Sequence, residues 1–245
     1  MRFNNKTVIV TGGGGGIGLA IAQRFSDEGA NIVLADINME QLQKAAAQIR
    51  PANNSAPLLQ KCDVSQEEQV KSTVKAAISH FGTIDIIVNN AGLMIFKKLE
   101  EHTADDWFRV LNVDLMGAFY FTKCAFLNMK KGGAIINISS IHAIETTPMV
   151  STYAAAKAAL LSLTRSSAIE GKEKGIRVNA ILPGAIDTPM LWQNPNIKAG
   201  LEQVSKDSVG KPEDIAAVAA FLASDDAAFV QGAMIEVDGG RLNRL

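Results

Sequence analysis

The chain has 245 residues, of which 47 % are hydrophobic and 20 % charged, and its 24 Lys and Arg against 25 Asp and Glu give a formal net charge of −1. This composition is typical of a globular protein and argues against a collagen-like fibre, a disordered chain or a small disulfide-built scaffold. The balanced charge offers no broad positive surface, so we expect neither nucleic acid nor a membrane surface as a partner.

Short β-rich runs alternate with longer stretches of helical spacing along the whole chain. The sequence predicts strands at Thr7–Thr11, Asn31–Ala35, Pro57–Cys62, Ile84–Val88, Ala134–Ile138, Ile176–Ile181 and Met234–Val237. It predicts helices at Ile17–Glu28, Met39–Ile49, Glu67–His80, Ala104–Met129, Tyr153–Gly171 and Pro212–Leu222. Several strand runs are continuously apolar, as in parallel sheets that helices cover on both faces. The alternation predicts one domain over residues 1–245 with an α/β, doubly wound (Rossmann) fold, a parallel sheet of about seven strands with helices on both faces.

Residues 184–209 interrupt this alternation with Pro189, Trp192, Pro195 and Gly200. A long, loosely patterned segment inside a compact domain is often functional. We therefore predict a substrate lid at about 184–209, with a plain surface loop as the alternative.

Cysteine content and the N-terminus bear on the cellular compartment. Cys62 and Cys124 are too few for a disulfide framework, which indicates buried thiols in a reducing compartment. Residues 1–6 are polar without a cleavage-site pattern, and no uninterrupted apolar run approaches the roughly 18 residues of a membrane span. We expect a cytoplasmic protein.

A glycine-rich turn, Gly12–Gly16, joins the first predicted strand to the first predicted helix. Gly12 allows a tight exit from the strand, Gly16 a close approach of the backbone to a diphosphate, and Gly18 close packing of the helix on the sheet. The helix N-terminus, which includes Ile17, then directs free N–H groups at phosphates. The sequence predicts a dinucleotide site here.

Asp36 ends the second predicted strand, 18 residues beyond Gly18. An acid at about this distance accepts hydrogen bonds from the adenosine ribose hydroxyls and repels a 2′-phosphate. We therefore predict NAD in preference to NADP. The alternative is that Asp36 caps the helix that begins at Met39.

Tyr153 and Lys157 lie four residues apart at the start of a predicted helix and share one helical face. An ammonium beside a phenol favours the phenolate and lowers the tyrosine pKa toward neutrality. A serine hydroxyl at the end of the fifth strand, Ser139 or Ser140, can hold a substrate oxygen while the proton moves. Because a single tyrosine–lysine pair is common on helices, this pattern is weak by itself.

Together these motifs resemble the short-chain dehydrogenase/reductase family over essentially the whole chain. The matching segments are Thr11–Gly18, Asp63-Val64, Asn89–Gly92, Asn112, Ser140, Tyr153-x-x-x-Lys157, Pro183-Gly184 and Asp238–Gly240. The resemblance implies that Tyr153 is the general acid/base, that Lys157 lowers its pKa and binds the nicotinamide ribose, and that Ser140 positions the substrate oxygen. It also implies that Asn112 bends a helix and helps to hold a water near the lysine.

The same resemblance implies further cofactor contacts after the third, fourth and sixth strands. These residues are Asp63, Val64, Asn90, Ala91, Gly92, Pro183, Gly184, Ile186 and Thr188. No metal is expected, because His80, His102 and His142 show no ligand spacing.

The loop between Ser140 and Tyr153 and the predicted lid provide candidate substrate contacts. These are His142, Glu145, Val150 and Trp192, together with Leu93, Met94, Ser151 and Leu191. They do not distinguish a sugar or polyol from a hydroxysteroid or a small secondary alcohol. The resulting hypothesis is an NAD-dependent oxidoreductase acting on a secondary alcohol or ketone. The alternatives are a 3-oxoacyl-carrier-protein reductase that uses NADPH and a non-catalytic NAD-sensing protein.

Apolar positions on two predicted helices, Ala104–Met129 and Tyr153–Gly171, bear on assembly. These apolar residues are Leu111, Val113, Leu115, Phe119, Leu160, Leu161 and Leu163. Similarity to the family implies that these helices pair across a two-fold axis in a homodimer or homotetramer. A second interface is expected at Ala233–Val237 and the tail Arg241–Leu245.

Overall fold

The structure, a computed structural model, describes residues 1–198, 200, 204 and 209–242. Its strands are β1 (Thr7–Thr11), β2 (Asn31–Asp36), β3 (Leu58–Lys61), β4 (Ile86–Asn89), β5 (Ala134–Ile138), β6 (Arg177–Pro183) and β7 (Met234–Val237). All pair in parallel in the order β3-β2-β1-β4-β5-β6-β7. The predicted doubly wound α/β fold is confirmed.

Helices connect the strands on both faces of the sheet. They are α1 (Gly16–Asp27), α2 (Met39–Ala46), α3 (Glu67–Phe81), α4 (Ala104–Leu111), α5 (Gly117–Asn128), α6 (Ser151–Lys174), α7 (Pro189–Trp192), α8 (Pro195–Lys198) and α9 (Pro212–Ala223). Most predicted bounds agree within a few residues. The main difference is in the predicted helix 104–129, where a π-helical turn, Asn112–Met116, lies between α4 and α5.

The central strands form because their residues are buried on both faces of the sheet. All five residues of β1 are buried. Val8 and Val10 pack in the layer with α1, α2 and α9, whereas Ile9 packs in the opposite layer with α3, α5 and α6. Burying each such aliphatic side chain contributes roughly 1.5–3 kcal/mol. Cys62 and Cys124 are buried among these residues, as predicted.

The continuous helical stretch Ala104–Asn128 has the length and composition of a membrane-crossing helix, with a mean hydropathy of 1.3 in its most apolar window. Of that window, 44 % is buried inside the protein. Because core helices of globular proteins satisfy the same criteria, this stretch is weak support for a membrane span.

A chain of buried polar side chains ties α6 to the sheet. Asn89 Nδ2 donates to Asn137 Oδ1 at 2.8 Å, and Asn137 Nδ2 donates to Thr164 Oγ1 at 2.9 Å. Ser139 Oγ adds a bond to the Lys157 carbonyl at 3.0 Å. These bonds fix the helix that carries Tyr153 against β5.

The strand order reverses at β1, which pairs with β2 on one side and β4 on the other. In open parallel sheets, ligands bind at the carboxyl ends of the strands beside such a reversal. The loops that follow β1, β2, β4, β5 and β6 all meet at this edge.

Two short helices, α7 and α8, occupy the described part of the predicted lid. Asn196 Nδ2 donates to the Pro148 carbonyl at 2.9 Å, which ties α8 to the loop before α6. The remainder of the predicted lid, residues 199, 201–203 and 205–208, lies outside the described residues, as do residues 243–245 of the predicted tail interface.

Candidate active site

The glycine turn has the backbone that its sequence predicts. Gly12 and Gly16 have φ values of 63° and 52°, a region that favours glycine, and α1 begins at Gly16. A Cβ on Gly18 would overlap the Gly12 carbonyl, so Gly18 allows close packing of α1 on the turn. Free N–H groups at the start of α1 therefore face the carboxyl edge of the sheet.

A cavity of about 650 Å³ opens at this edge. The residues proposed for the cofactor that line it are Gly12, Gly16, Ile17, Asp36, Asn90, Ala91, Gly92, Tyr153, Lys157, Pro183, Gly184, Ile186 and Thr188. Gly14 and Gly15, to which the sequence assigned no contact, line it as well.

Gly18, Asp63 and Val64 do not lie in the cavity wall. The Asp63 carboxylate accepts hydrogen bonds from the backbone N–H and the hydroxyl of Ser65, at 3.0 and 2.7 Å, and thereby forms the turn before α3. Val64 is buried against Gly117 of α5.

Asp36 lies at the end of β2 in the cavity wall. Its Oδ2 accepts from the Gly14 N–H at 3.1 Å and its Oδ1 from the Asn38 N–H at 3.0 Å. The cap of α2 is Asn38, whose side chain accepts from the Gln41 N–H, so the alternative role of Asp36 as the helix cap is wrong. Lys44 also lines the cavity, and its Nζ lies 2.6 Å from the Glu40 carboxylate.

Tyr153 and Lys157 are buried side by side in the cavity wall, with 8 % and 4 % of their surfaces exposed. The Lys157 Nζ lies 5.4 Å from the centroid of the Tyr153 ring and donates to the Ile138 carbonyl at 3.0 Å. Ser140 lies in the same wall, and its hydroxyl accepts from the His142 N–H at 3.1 Å. Ser139 also lines the cavity, but its hydroxyl donates to the Lys157 carbonyl, which leaves Ser140 as the candidate catalytic hydroxyl.

The pKa of Tyr153 differs from the sequence-based expectation. Burial raises this pKa, Lys157 lowers it, Asp114 raises it and a hydrogen bond with Ser140 lowers it. The net direction in the protein alone is upward. Lys157 therefore acts in the predicted direction, but the cost of burying a phenolate outweighs its effect.

Asn112 does not lie where the sequence analysis predicted. Its side chain is exposed to solvent, and it begins the π-helical turn between α4 and α5. Asp114, for which no role was predicted, lies beside the lysine instead, with its Oδ2 3.2 Å from the Lys157 Nζ. Residues two positions apart on a helix point to nearly opposite faces, so when one faces solvent the other faces the core. The signal for Asp114 in the sequence is a carboxylate within an otherwise apolar helical run.

Of the eight candidate substrate residues, three line the cavity: His142, Met94 and Leu191. The His142 ring lies 6.0 Å from that of Tyr153. Glu145 is exposed, Val150 is fully buried, and Trp192 donates from Nε1 to Asp187 at 2.7 Å, so none of these three reaches the cavity wall.

The cavity wall also contains side chains for which no cofactor contact was predicted, here called the substrate end. Besides His142, they are Met94, Phe96, Ile141, Met190, Leu191, Asn194 and Arg241. Met94 and Leu191 agree with the sequence analysis. Arg241 comes from the end of the described chain, where Asp238 accepts from the Gly240 and Leu242 N–H groups and turns the backbone. The position of Arg241 in the cavity wall depends on tertiary folding, which local sequence patterns do not reveal.

A glycine turn, an acid at the end of β2 and a buried tyrosine–lysine pair in one cavity define a nicotinamide-dependent oxidoreductase. The family model described as enoyl-(acyl carrier protein) reductase matches residues 13–241. The chain belongs to the short-chain dehydrogenase/reductase family, oxidoreductases that act on alcohol and carbonyl groups with a nicotinamide cofactor.

Similar proteins cover nearly the full length of the chain. A 3β-hydroxysteroid dehydrogenase of Eggerthella lenta is 42 % identical over 97 % of this chain and 94 % of its own. A 3-oxoacyl-(acyl-carrier-protein) reductase of Chlamydia trachomatis is 40 % identical over 96 % of this chain and 97 % of its own. A short-chain dehydrogenase of Burkholderia cenocepacia, solved in complex with NADP, is 30 % identical with a TM-score of 0.90 and 98 % coverage of both chains.

Proposed function

We propose that this protein transfers a hydride between NAD and a secondary alcohol or ketone, with Tyr153 as the general acid/base. The observation that carries the proposal is the burial of Tyr153 beside Lys157 in the wall of one cavity. The same wall contains the glycine turn and Asp36. The proton-transfer and cofactor-binding groups therefore face one shared space.

The residues present fit a dinucleotide. Gly12 and Gly16 adopt backbone angles that favour glycine and present N–H groups without side chains, which suits a diphosphate at the start of α1. Asp36 would hold the adenosine ribose, and Lys157 the nicotinamide ribose. When bound, NAD⁺ supplies the hydride acceptor and a positive charge that, like Lys157, lowers the pKa of Tyr153.

Residues of the chain accept and donate the substrate proton. In alcohol oxidation, the Tyr153 phenolate accepts the hydroxyl proton; in carbonyl reduction, the Tyr153 hydroxyl donates it back. Ser140 donates a hydrogen bond to the substrate oxygen and fixes its position. Lys157 favours the phenolate electrostatically. Burial of this group keeps competing water away from the reacting atoms.

Asp36 supports a preference for NAD. A carboxylate in the cavity wall repels the 2′-phosphate of NADP, whereas it accepts hydrogen bonds from ribose hydroxyls. Lys44, the nearby cation, is paired with Glu40. The experiment is a fluorescence titration with NADH and NADPH, in which we expect the lower dissociation constant for NADH.

The substrate end supports an alcohol on a largely apolar carbon skeleton. Its apolar side chains are Met94, Phe96, Ile141, Met190 and Leu191. They outnumber the polar ones, which are His142, Asn194 and Arg241, whereas a sugar would need several hydrogen-bond partners. We therefore place alicyclic or steroid-type alcohols ahead of sugars and polyols. The E. lenta relative is named for a hydroxysteroid.

A second candidate is reduction of a 3-oxoacyl thioester. The C. trachomatis relative supports it, because it is 40 % identical and is named as a 3-oxoacyl-carrier-protein reductase. Reduction of an acetoacetyl thioester with NADPH, faster than any alcohol oxidation with NAD⁺, would favour this candidate.

We also propose that the chain is one domain that assembles as a homodimer or homotetramer through α4, α5 and α6. Leu160 and Leu161, predicted for this interface, are buried in the protein's own core. The large apolar side chains exposed on these helices are Phe108, Phe119, Leu127 and Ile169. Sedimentation of a monomer would contradict the assembly.

The experiment that tests the function is Tyr153→Phe, with Tyr120→Phe as the matched control at the chain's other tyrosine. Turnover is followed by NADH absorbance over a panel of alicyclic alcohols, steroids, sugars and an acetoacetyl thioester. We expect Tyr153→Phe to lose turnover with every substrate while NADH still binds, and Tyr120→Phe to retain turnover. Near-normal activity in Tyr153→Phe would exclude the proposed role.

A further inference from the structure

A buried ion pair lies behind the candidate catalytic tyrosine. Asp114 Oδ2 lies 3.2 Å from the Lys157 Nζ, and the two side chains are 0 % and 5 % exposed. The second oxygen, Asp114 Oδ1, accepts a hydrogen bond from the Leu93 N–H at 2.9 Å. The carboxylate is therefore held at both oxygens, by the segment after β4 and by α6.

We infer that Asp114 is a positioning residue that keeps the Lys157 ammonium charged and fixed beside Tyr153. The inference rests on the proposed function, which gives Lys157 its role toward Tyr153. Asp114 does not itself line the cavity, so it does not contact the substrate directly. It acts through Lys157.

The physical reason is that neither buried charge is stable alone. Burial lowers the pKa of Lys157, but Asp114 and Tyr153 raise it more, so that the net pKa lies above its ordinary value. Burial raises the pKa of the Asp114 carboxyl, and Lys157 opposes this effect. A fully buried lysine without such a partner has its pKa lowered by up to about 3–5 units, which reaches the neutral range.

Space around the pair is limited on the cavity side by Gly92. A Cβ placed there would lie 2.8 Å from Asp114 Oδ2 and 3.3 Å from the Lys157 Nζ. The backbone of residue 92 therefore covers the pair closely.

Few titratable groups surround Lys157 within the part of the chain that the structure describes. Tyr153 faces it from the same helix and Asp114 from the π-helical turn. Ile138 of β5 contributes only its carbonyl. His142 lies against the Tyr153 ring, and Arg241 lines the same cavity. Asp114 is the carboxylate in direct contact with the ammonium.

The test is Asp114→Asn, which removes the negative charge of the side chain and keeps its shape. Its control is Asp105→Asn, which removes an exposed carboxylate from α4. The NMR signal of the Lys157 side-chain nitrogen, assigned by its loss in Lys157→Met, reports protonation in the cofactor-free protein. We expect Asp114→Asn to lower the Lys157 midpoint by at least about one pH unit, or about 1.4 kcal/mol. Asp105→Asn should not move it. A Lys157 midpoint in Asp114→Asn equal to that of the unchanged protein would overturn the inference.

Kinetics separate this inference from the proposed function. If both are correct, the alkaline limb of kcat/KM also moves to lower pH in Asp114→Asn. A shifted NMR midpoint with an unmoved alkaline limb would support the positioning of Lys157 by Asp114 but contradict the proposed role of Lys157 in turnover. An unshifted midpoint refutes the positioning role whatever the kinetics.

Discussion

Replacing Gly92 with alanine places one methyl group against the buried ion pair. The φ of Gly92 lies outside the left-handed region that favours glycine, so its backbone accepts an alanine. The new carbon would lie 2.8 Å from Asp114 Oδ2, whereas ordinary contacts begin at about 3.4 Å. The carboxylate must therefore move by several tenths of an ångström, away from Lys157 or from the Leu93 N–H.

The cost of this displacement is that of an overpacked core, typically about 1–3 kcal/mol. For a chain of this length, each kcal/mol shifts Tm by about 2–4 °C, so we expect Gly92→Ala to lower Tm by about 2–12 °C. Because the displaced carboxylate no longer supports Lys157 fully, turnover should fall as well.

Differential scanning calorimetry of a double-mutant cycle measures the effect. Asp114→Ala removes the oxygen that the new methyl group meets, so Gly92→Ala should cost little stability in that background. An equal loss of Tm in both backgrounds would refute the steric argument. Circular dichroism of each variant provides the control for an intact fold.

Three further predictions concern the cofactor, the loops and pH. Asp36→Asn removes the charge that opposes a 2′-phosphate, and we expect the ratio of NADP to NAD affinity to rise about tenfold, or about 1.4 kcal/mol. An unchanged ratio in fluorescence titrations argues against the role of Asp36 in the preference for NAD. Asn196→Ala removes the 2.9 Å hydrogen bond to the Pro148 carbonyl, which is worth about 0.5–1.5 kcal/mol. We expect the substrate KM to rise about 2- to 10-fold and the NADH affinity to stay unchanged. An unchanged KM would contradict a role of this hydrogen bond in positioning the loop. Lys97 holds the pKa of the Asp106 carboxyl at about 2, below its ordinary 3.8. The ionised Asp106 therefore stabilises the folded protein above about pH 4, and this stabilisation is lost as pH falls toward 2. Acid unfolding of Asp106→Asn should show a weaker dependence on pH in that window; an identical dependence excludes this carboxylate as a contributor.

The fold was predictable because its signals are local. A strand buried on both faces is an uninterrupted run of β-branched and aliphatic residues, as in β1. The end of α6 at Lys174 is marked by Gly175, whose φ of 66° suits glycine. The hydrophobic pattern does not reveal the π-helical turn Asn112–Met116, because it continues across the turn; only the family resemblance implied a bend at Asn112.

The candidate site was predictable where it lies at the end of a strand or the start of a helix. Gly12, Asp36, Tyr153 and Lys157 all line the cavity as the sequence analysis expected. Asn112 was not placed correctly, since a motif gives a residue type but not which helical face it occupies. Similarly, the sign of the net pKa shift of Tyr153 depends on burial, which only the tertiary structure provides.

The hydrogen-bonded chain Asn89–Asn137–Thr164 constrains which residues of this enzyme can change during evolution. Sliding α6 along the sheet would break buried bonds, so the spacing between the proton-transfer group and the sheet is constrained. The segments that carry Met94, His142 and Met190 lie outside this chain of bonds. Selection can exchange those side chains for new substrates while the reaction chemistry is inherited unchanged.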